Sequence, residues 1–429
     1  MASAVHSIPS IDEQFEFTAS AKKKILTIAV VGIVLVLIGA YFMASGGAHG
    51  HEAHGGGDHG HGYHWMKRVW ANLWLNGVFF TGISVTGMFW LSYNYLAQAG
   101  WSAVFKRVPE AMPAFLPIVG VIMLITFILG GHDIFHWTHA SLYDPNSPDY
   151  DAIIAGKKGY LNTPFFLIRM VAYFVVWYML WYMLRKASLE EDLVGGLDNY
   201  HKQTKFGVIF LVFFAVTSST AAWDFVMSID THWFSTMFGW YTLANWHVTG
   251  LAVIVLIIVT LKENGYLKAV NASHLHDLGK FVFAFSIFWT YVWFAQFLLY
   301  YYANIPEEIV YFWERFYGHG GIYKPWFFVN IFLNFVFPFL ILMTRDSKRT
   351  PIILKIACWF VIIGHYIDFF NNIMPGTVGA HGAVGLFEVG LLMVFAAGFI
   401  WTVAAQLAKA KLIAPNHPML QESLYHDIE

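Results

Sequence analysis

The sequence predicts an all-α membrane protein with about ten transmembrane helices, and two observations carry that prediction. Of the 429 residues, 58% are hydrophobic and only 12% are charged, against roughly 25% charged in ordinary soluble domains. The apolar residues also come in runs of about 20, the length that crosses ~30 Å of hydrocarbon. The net charge of −2 gives no electrostatic support for nucleic acid as a partner.

Ten runs with few charges are predicted to be helices. They lie at 25–43, 72–96, 113–131, 162–184, 206–227, 240–261, 280–303, 325–343, 352–371 and 382–407. The first run is longer than the apolar core of a signal peptide and follows acidic residues, which favours a retained helix. The predicted divisions are an N-terminal segment 1–24, the first helix 25–43, a Gly/His-rich tether 44–69, a helical membrane domain 70–407 and a tail 408–429.

The distribution of Lys and Arg predicts the orientation of these helices. Of the 25 basic residues, 17 fall in segments on the amino-terminal side and 6 on the other side, with Arg169 and Lys355 inside spans. Because cytoplasmic loops are enriched in Lys and Arg, both chain ends are expected in the cytoplasm. The tract HGHEAHGGGDHGHGYH, at 49–64, would then be periplasmic. A flexible tether is favoured there over a metal site, because no spacing fixes a tetrahedral ligand set.

Two outer loops combine charges with aromatic residues. They run from Asp144 to Leu161 and from Pro306 to Lys324, and the second contains Trp313 and Arg315. Such composition suggests a docking surface for an extracytoplasmic partner, although an interfacial aromatic belt explains the Trp and Tyr equally well.

Ionisable residues inside the spans are predicted to gather in the outer half of the membrane. An ionisable side chain facing lipid costs at least ~2.5 kcal/mol, so each one is a functional candidate. The candidates for a quinol and proton site are His132, Asp133, His136, Arg169 and Asp224, and those for a proton path are Thr217, Thr220, His247, His365, Asp368 and Glu388. His132, His136 and His139 stand at helical spacing i, i+4, i+7, which predicts one polar helix face.

Each candidate has a structural alternative. A Ser or Thr hydroxyl in a helix commonly bonds to a carbonyl of its own helix. A buried Asp133 or Asp224 can simply pair with Arg169, because buried charges are normally paired. Pairing and function remain compatible.

Carboxylates and histidines near one membrane face, among aromatic rings, suit quinol oxidation. A quinol releases two electrons and two protons, so it needs a proton acceptor at hydrogen-bond distance and a flat aromatic slot. The single cysteine, Cys358, excludes a Cys-ligated iron–sulfur cluster and a CxxCH haem on this chain. Three rivals stay open: a di-haem b cytochrome with pairs such as His136 with His247 or His365, a proton-coupled transporter, and a scaffold with polar helix contacts.

The stretch SSTAAWDFVMSIDTHWFSTMFGWY, residues 218–241, resembles the large membrane subunits of alternative complex III, a bacterial quinol:cytochrome c oxidoreductase. These subunits belong to the NrfD-like, polysulfide-reductase membrane-subunit family. The ten-helix plan and the GGHDIFHWTH sequence at the end of helix 3 agree with that resemblance, which covers most of the chain.

The resemblance implies two four-helix bundles, helices 2–5 and 6–9, with helices 1 and 10 peripheral and with Asp224 and Asp368 as counterparts. It implies quinol, with menaquinol expected, as the substrate, and no haem or iron–sulfur cluster on this chain. The implied partners are an extracytoplasmic iron–sulfur/molybdopterin-like subunit, a sister NrfD-like subunit, and multihaem and monohaem cytochrome c subunits in the bacterial inner membrane. Length and the Gly/His tract favour the ActF-like subunit, a quinol site or proton conduit, over its ActC-like sister.

Overall fold

A computed structural model describes residues 12–46 and 64–427 of the chain. The Gly/His tract at 49–63 lies outside the described residues, so its predicted role as a tether stays a prediction. The described part contains no β-strand, and one isolated antiparallel bridge joins Gln14 to Lys411.

Ten helices are long and apolar enough to cross a membrane, which confirms the predicted multi-pass all-α class. We label them α1 to α10: Ala19–Ser45, Trp65–Leu96, Arg107–Ile134, Thr163–Val194, Asp198–Ile229, Met237–Glu263, Ala272–Ala303, Lys324–Ile341, Pro351–His381 and Leu386–Leu407. Several extend beyond the predicted apolar runs, because their polar end turns continue the helix outside the hydrophobic stretch.

The helices form two four-helix bundles. In the first, α2 packs against α3 and α5, and α4 packs against both of those helices. In the second, α6 packs against α7 and α9, and α8 lies against the same two. α2 joins the bundles through α6 and α9, while α1 packs along α10 at the periphery, as the family resemblance implies.

α2 is the central helix of the molecule, with 94% of its most apolar window buried, against 11% for α1. Two glycines allow its close approach to α6. A Cβ on Gly82 would lie 1.9 Å from the Trp246 ring, and one on Gly250 would lie 2.4 Å from Thr86. Thr86 Oγ1 also donates to the Trp246 carbonyl at 3.0 Å. Small residues at helix contacts are the usual basis of tight packing in membranes.

The helices run alternately between two faces. The terminal face carries both described chain ends, where the Leu412 amide donates to the Glu13 carbonyl at 2.8 Å. The opposite face carries the α3–α4 connection, with its short helix Ala152–Gly156, and the α7–α8 connection, which contains the helix Pro306–Phe316.

Two features of the second bundle affect the surroundings of Asp368. α8 contains a π-helical turn at Phe332–Val336, a deformation that is frequent at functional sites. α9 continues to His381 instead of ending at residue 371 as predicted. The predicted end of this helix at residue 371 is therefore wrong, and Asp368 and His365 lie near the middle of α9 instead of in its last turns.

Candidate functional site

In the first bundle a buried ion pair joins α4 to α5. Arg169 Nε and Nη2 donate to the two carboxylate oxygens of Asp224, each at 2.8 Å. The Tyr173 hydroxyl donates to the same carboxylate at 2.9 Å. A two-pronged contact with an added donor is the geometry that offsets the desolvation of buried charges. Asp224 thus has the partner that the sequence suggested.

The histidines His132, His136 and His139, at the end of α3 and just beyond it, do not share a helix face. α3 ends at Ile134, Phe135 is extended, and His136 begins a separate short 3₁₀ turn. His132 and His136 are exposed on the opposite face. The predicted i, i+4, i+7 alignment is therefore wrong, because the helix stops before its second histidine.

Asp133 pairs with His64 at 3.0 Å, not with Arg169. His132 Nδ1 lies 3.0 Å from Thr138 Oγ1. In the described part of the chain, neither His132 nor Asp133 makes a hydrogen bond to Arg169 or Asp224. The predicted quinol site therefore separates into a surface group and a buried pair.

Asp368, in α9, is the second buried carboxylate of interest. Its oxygens accept hydrogen bonds from Tyr241 Oη, from Asn245 Nδ2 at 2.6 Å and from Asn330 Nδ2 at 2.7 Å. Asn334, inside the π-helical turn of α8, in turn donates to Asn330. Neutral side chains thus supply three hydrogen bonds to the two carboxylate oxygens of Asp368 and hold the group in place.

Asp368 differs from every other buried carboxyl group in the described residues. Five of the six have a basic partner within 4 Å: Glu110, Glu191, Asp224, Asp277 and Glu388. Asp368 has none. A buried carboxyl without a cation is costly in its charged form, and such groups in membranes are candidates for proton relays.

A chain of hydrogen bonds connects Asp368 to the opposite face. Tyr241 Oη accepts from Asn372 Nδ2 at 3.2 Å, and Asn372 Oδ1 accepts from the Tyr311 hydroxyl at 2.5 Å. The guanidinium of Arg315 lies 3.3 Å from the centre of the Tyr311 ring. Arg315 Nη2 then donates to Asp230 at 2.8 Å.

Arg315 is therefore internal, although the sequence placed it on a docking surface. It is 3% exposed, and it donates to the carbonyls of Asn371 and Asn372 at 2.9 and 3.0 Å. Those carbonyls belong to the last turns of α9. The arginine ties the α5–α6 and α7–α8 connections to α9 and closes the second bundle at this face.

His247 and His365 are buried near the middle of α6 and α9. The His247 ring contacts the rings of Phe89, Tyr93 and Phe285, with centroids 4.4 to 5.7 Å apart. His365 meets the edge of Trp289 at 5.2 Å. Exposed His136 is on the opposite face, so the haem pairs that combine it with either buried histidine do not lie at one depth.

Three further candidates have structural explanations. Thr217 Oγ1 accepts from Trp177 and donates to the Phe213 carbonyl. Thr220 bonds to a carbonyl of its own helix. Glu388 caps α10 through the Gly385 amide at 2.8 Å and pairs with Arg68 at 2.7 Å. Each contact satisfies the polar group locally.

The terminal half also contains buried charges, contrary to the predicted asymmetry. Lys106 pairs with Glu191 at 2.7 Å, and Glu110 pairs with Arg107 and Arg185 at 2.9 and 3.1 Å. We call these five residues, with Asp192, the terminal ionic cluster. The prediction failed here because hydropathy alone placed the helix ends. Lys106, Arg107 and Arg185 then fell in the connecting segments and were counted as surface charges.

A cavity of about 250 Å³ opens at the opposite face, between the α3–α4 connection and the end of α5. Its walls include the aromatic residues Tyr160, Trp223, Trp233 and Phe234. The Tyr160 carbonyl accepts from Arg169 Nη1 at 3.1 Å, so the cavity adjoins the buried ion pair. Burial raises the pKa of Tyr160, and its phenol stays a hydrogen-bond donor.

Two aromatic residues of the cavity wall have indole N–H groups without a protein partner. The indole N–H groups of Trp223 and Trp233 are buried and unbonded within the described structure. Trp233 also stacks on Tyr311 with ring centroids 4.0 Å apart. One wall residue of the cavity, Trp233, is therefore in contact with Tyr311, a member of the hydrogen-bond chain that leads to Asp368.

Sequence reasoning missed the neutral residues around Asp368. Tyr241, Asn245 and Asn330 carry no charge, and a search for ionisable groups passes over them. The available signal was amide spacing, because Asn330 and Asn334 stand at i, i+4 in an otherwise apolar helix.

Comparisons with known proteins do not identify the site. No family model matches the chain, and no curated protein matches it. The resemblance carried by residues 218–241 therefore stays a prediction.

Proposed function

We propose that this chain is a quinol-binding membrane subunit of a respiratory quinol:cytochrome c oxidoreductase of the alternative complex III type. The observation that carries the proposal is the cavity at the opposite face, lined by Trp223, Trp233 and Tyr160. A site for a lipid-soluble ring needs aromatic walls and a few directed polar groups.

The cavity matches a quinone ring in size and in chemistry. Its volume of about 250 Å³ is slightly below the ~300–1,000 Å³ that small-molecule sites occupy, which suits a ring with its tail outside. The ammonium group of Lys157, which also lines the cavity, can donate to a ligand oxygen. Phe234 at the wall is 61% exposed, which gives the isoprenoid tail an apolar surface next to the lipid.

The quinol then binds near Arg169 and Asp224, and not at the exposed His132 and His136. The chain contributes the ring site, and the two electrons leave through partner subunits, since Cys358 alone cannot ligate a cluster. Those partners would be an iron–sulfur/molybdopterin-like subunit, a sister NrfD-like subunit and cytochrome c subunits. Catalysis is then shared with them, and menaquinol is the first substrate to test.

The membrane in this proposal is the bacterial cytoplasmic membrane, with the terminal face in the cytoplasm. The excess of Lys and Arg in the segments on that face supports the orientation. The cavity would then open toward the periplasm, where protons released by quinol add to the transmembrane gradient. The ActF-like assignment stays part of the proposal.

Binding can be tested with the purified full chain and heptyl-hydroxyquinoline N-oxide, a fluorescent quinone-site inhibitor. Gly159 lines the cavity, and a Cβ there would meet no atom within 4 Å. Gly159→Leu should therefore fill the cavity without strain and abolish quenching of the inhibitor. Trp233→Phe, which replaces one aromatic wall of the cavity by a smaller ring, should weaken binding severalfold.

Trp240→Phe is the matched control, because Trp240 is 56% exposed and lies outside the cavity wall. Its affinity should equal that of the wild type. Unchanged inhibitor binding in Gly159→Leu would contradict the proposed site.

A further inference from the structure

Exposed lysines cluster where α1 and α10 meet at the terminal face. They are Lys22, Lys23 and Lys24 near the start of α1, and Lys409 and Lys411 just beyond the end of α10. The two helices lie in close contact, since a Cβ on Gly32 would be 2.8 Å from the Gly390 carbonyl oxygen. An isolated backbone bridge also joins Lys411 to Gln14, in the segment before α1. The lysines of both helices therefore lie at one end of a single helix pair.

The acidic residues of the same region leave most of these lysines without a counter-charge. Asp12 pairs with Lys411 at 2.6 Å. Glu13 accepts hydrogen bonds from two backbone amides of the α6–α7 connection. Glu16 is the remaining acidic residue of the described segment before α1. The other four lysines form no ion pair within the described residues, so this end of the helix pair keeps a net positive charge.

Aromatic and apolar side chains lie next to the lysines. The ring of Phe17 meets the ring of Trp401 edge-on, with centroids 5.1 Å apart, and Lys22 Nζ lies 5.2 Å from the centre of the Phe17 ring. Further along α1, Leu26 and Val30 are exposed. Aromatic rings are typical of the headgroup layer of a membrane, and apolar side chains are typical of the hydrocarbon layer. The order of these groups along the helix pair matches a phospholipid, with its headgroup first and its acyl chains next.

We propose that the terminal end of the α1–α10 pair binds the headgroups of anionic phospholipids, with their acyl chains along α1. Clusters of roughly four to eight basic residues beside a membrane helix are the usual basis of such binding. Lysine suits this role, because its apolar stem stays in the hydrocarbon while its ammonium group reaches the headgroups. The most apolar window of α1 is only 11% buried by protein, so bound lipid adds a second support to this helix.

This binding is independent of the proposed quinol site, because no residue of α1 or α10 lines the cavity. Intact-protein mass spectrometry of the full chain measures the affinities of phosphatidylglycerol and phosphatidylcholine with identical acyl chains. Phosphatidylglycerol should bind at least about fivefold more tightly, the contribution of one lysine near an anionic group. The triple variant Lys22→Gln, Lys23→Gln, Lys24→Gln should lose most of this preference. A wild-type preference in the triple variant would overturn the proposal.

The matched control is the triple variant Lys186→Gln, Lys202→Gln, Lys205→Gln. These lysines are also exposed at the terminal face, but they belong to α4 and α5. The control removes the same total charge and should keep the preference for phosphatidylglycerol. An equal loss in both triple variants would show that the whole face attracts anionic lipid, which would contradict a site at the α1–α10 pair.

Inorganic phosphate should not displace the bound phosphatidylglycerol, because the acyl chains contribute to lipid binding. Displacement by phosphate would overturn lipid as the ligand.

Thermal unfolding of the full chain in detergent provides a second measurement. A ligand that binds the folded state stabilises it, so phosphatidylglycerol should raise the Tm of the wild type more than phosphatidylcholine does. In the Lys22, Lys23 and Lys24 variant, the two lipids should have equal effects. Inhibitor binding at the cavity should be unchanged in both triple variants, which shows that they fold. The failure of one proposal can therefore be recognised without the other.

Discussion

Two buried aspartates in equivalent bundles have opposite surroundings. Arg169 and Tyr173 donate hydrogen bonds to Asp224, and the guanidinium compensates its charge directly. Asp368 is held by one phenol and two amides, without a cation. The first environment fixes a charge and stabilises the contact of α4 with α5. The second holds a carboxyl group with neutral donors alone, and no basic side chain lies within 4 Å of it among the described residues.

Removing the cation from the first pair should destabilise the protein. Arg169→Met leaves the Asp224 carboxylate buried and unpaired, and we expect a loss of about 3–5 kcal/mol in unfolding free energy. Chemical unfolding in detergent micelles measures it. The double variant Arg169→Met with Asp224→Leu should recover most of the loss, and a double variant as unstable as the single one would contradict this explanation.

The C-terminal tail, residues 408–427, covers the terminal ionic cluster. Asn416 donates to the Asp192 carbonyl at 2.9 Å, and Ser423 donates to the Trp101 carbonyl at 2.6 Å. His417 lies against the rings of Tyr95 and Tyr200. Its Nδ1 accepts from the Met419 amide at 3.2 Å, which requires that nitrogen to be unprotonated.

Tail docking should weaken in mild acid. Burial, followed by the charges of Lys106 and Arg107, lowers the pKa of His417 to about 2, while a free histidine titrates near ~6.5. Below pH ~6.5 the undocked tail binds a proton that the docked tail cannot bind. The free energy of tail docking therefore becomes less favourable as pH falls from about 7 toward 5. Hydrogen exchange of the tail peptide measures this.

The tail carries a second histidine, His426, whose ring pairs with Asp277 at 2.7 Å. The difference between wild type and His417→Gln isolates the contribution of His417. The variant should lose most of the acid sensitivity. Equal sensitivity in both proteins would count against the buried neutral imidazole.

The positions of the helices were predictable from the sequence. The depth of Asp368 in the membrane-spanning bundle was not. Runs of about 20 apolar residues are forced by the thickness of hydrocarbon, so ten spans followed from composition. The end of α9 was misplaced because Asn371, Asn372 and Pro375 resemble a helix stop. In the structure, Arg315 donates to the Asn371 carbonyl, and the Asn372 side chain donates to Tyr241 Oη. Both partners come from other helices, which no local pattern reveals.

The Arg169–Asp224 pair could be anticipated, because a buried charge needs a partner. The surroundings of Asp368 could not, since its donors come from α6 and α8, far away in the chain. The trapped Arg315 was likewise taken for a surface residue, because burial by a connecting segment leaves no periodic signal.

The orientation of the whole molecule can be tested with thiol chemistry. Cys358 is 0% exposed, so the wild-type chain should give no background labelling. Lys158→Cys, at the opposite face, should react with a membrane-impermeant maleimide in spheroplasts. Lys409→Cys, at the terminal face, should react only after permeabilisation. The reverse pattern would place the cavity on the cytoplasmic side.

The two described ends of the chain meet the same connection, between α6 and α7. Glu13 accepts from the Leu267 amide at 2.5 Å, while Asn271 Nδ2 donates to the His426 carbonyl at 2.6 Å. Ends that lie this close can be fused by a short linker and the chain reopened elsewhere. A circular permutant cut in the exposed stretch near Gly159 would then keep every helix pairing, with both new ends at the other surface of the bilayer.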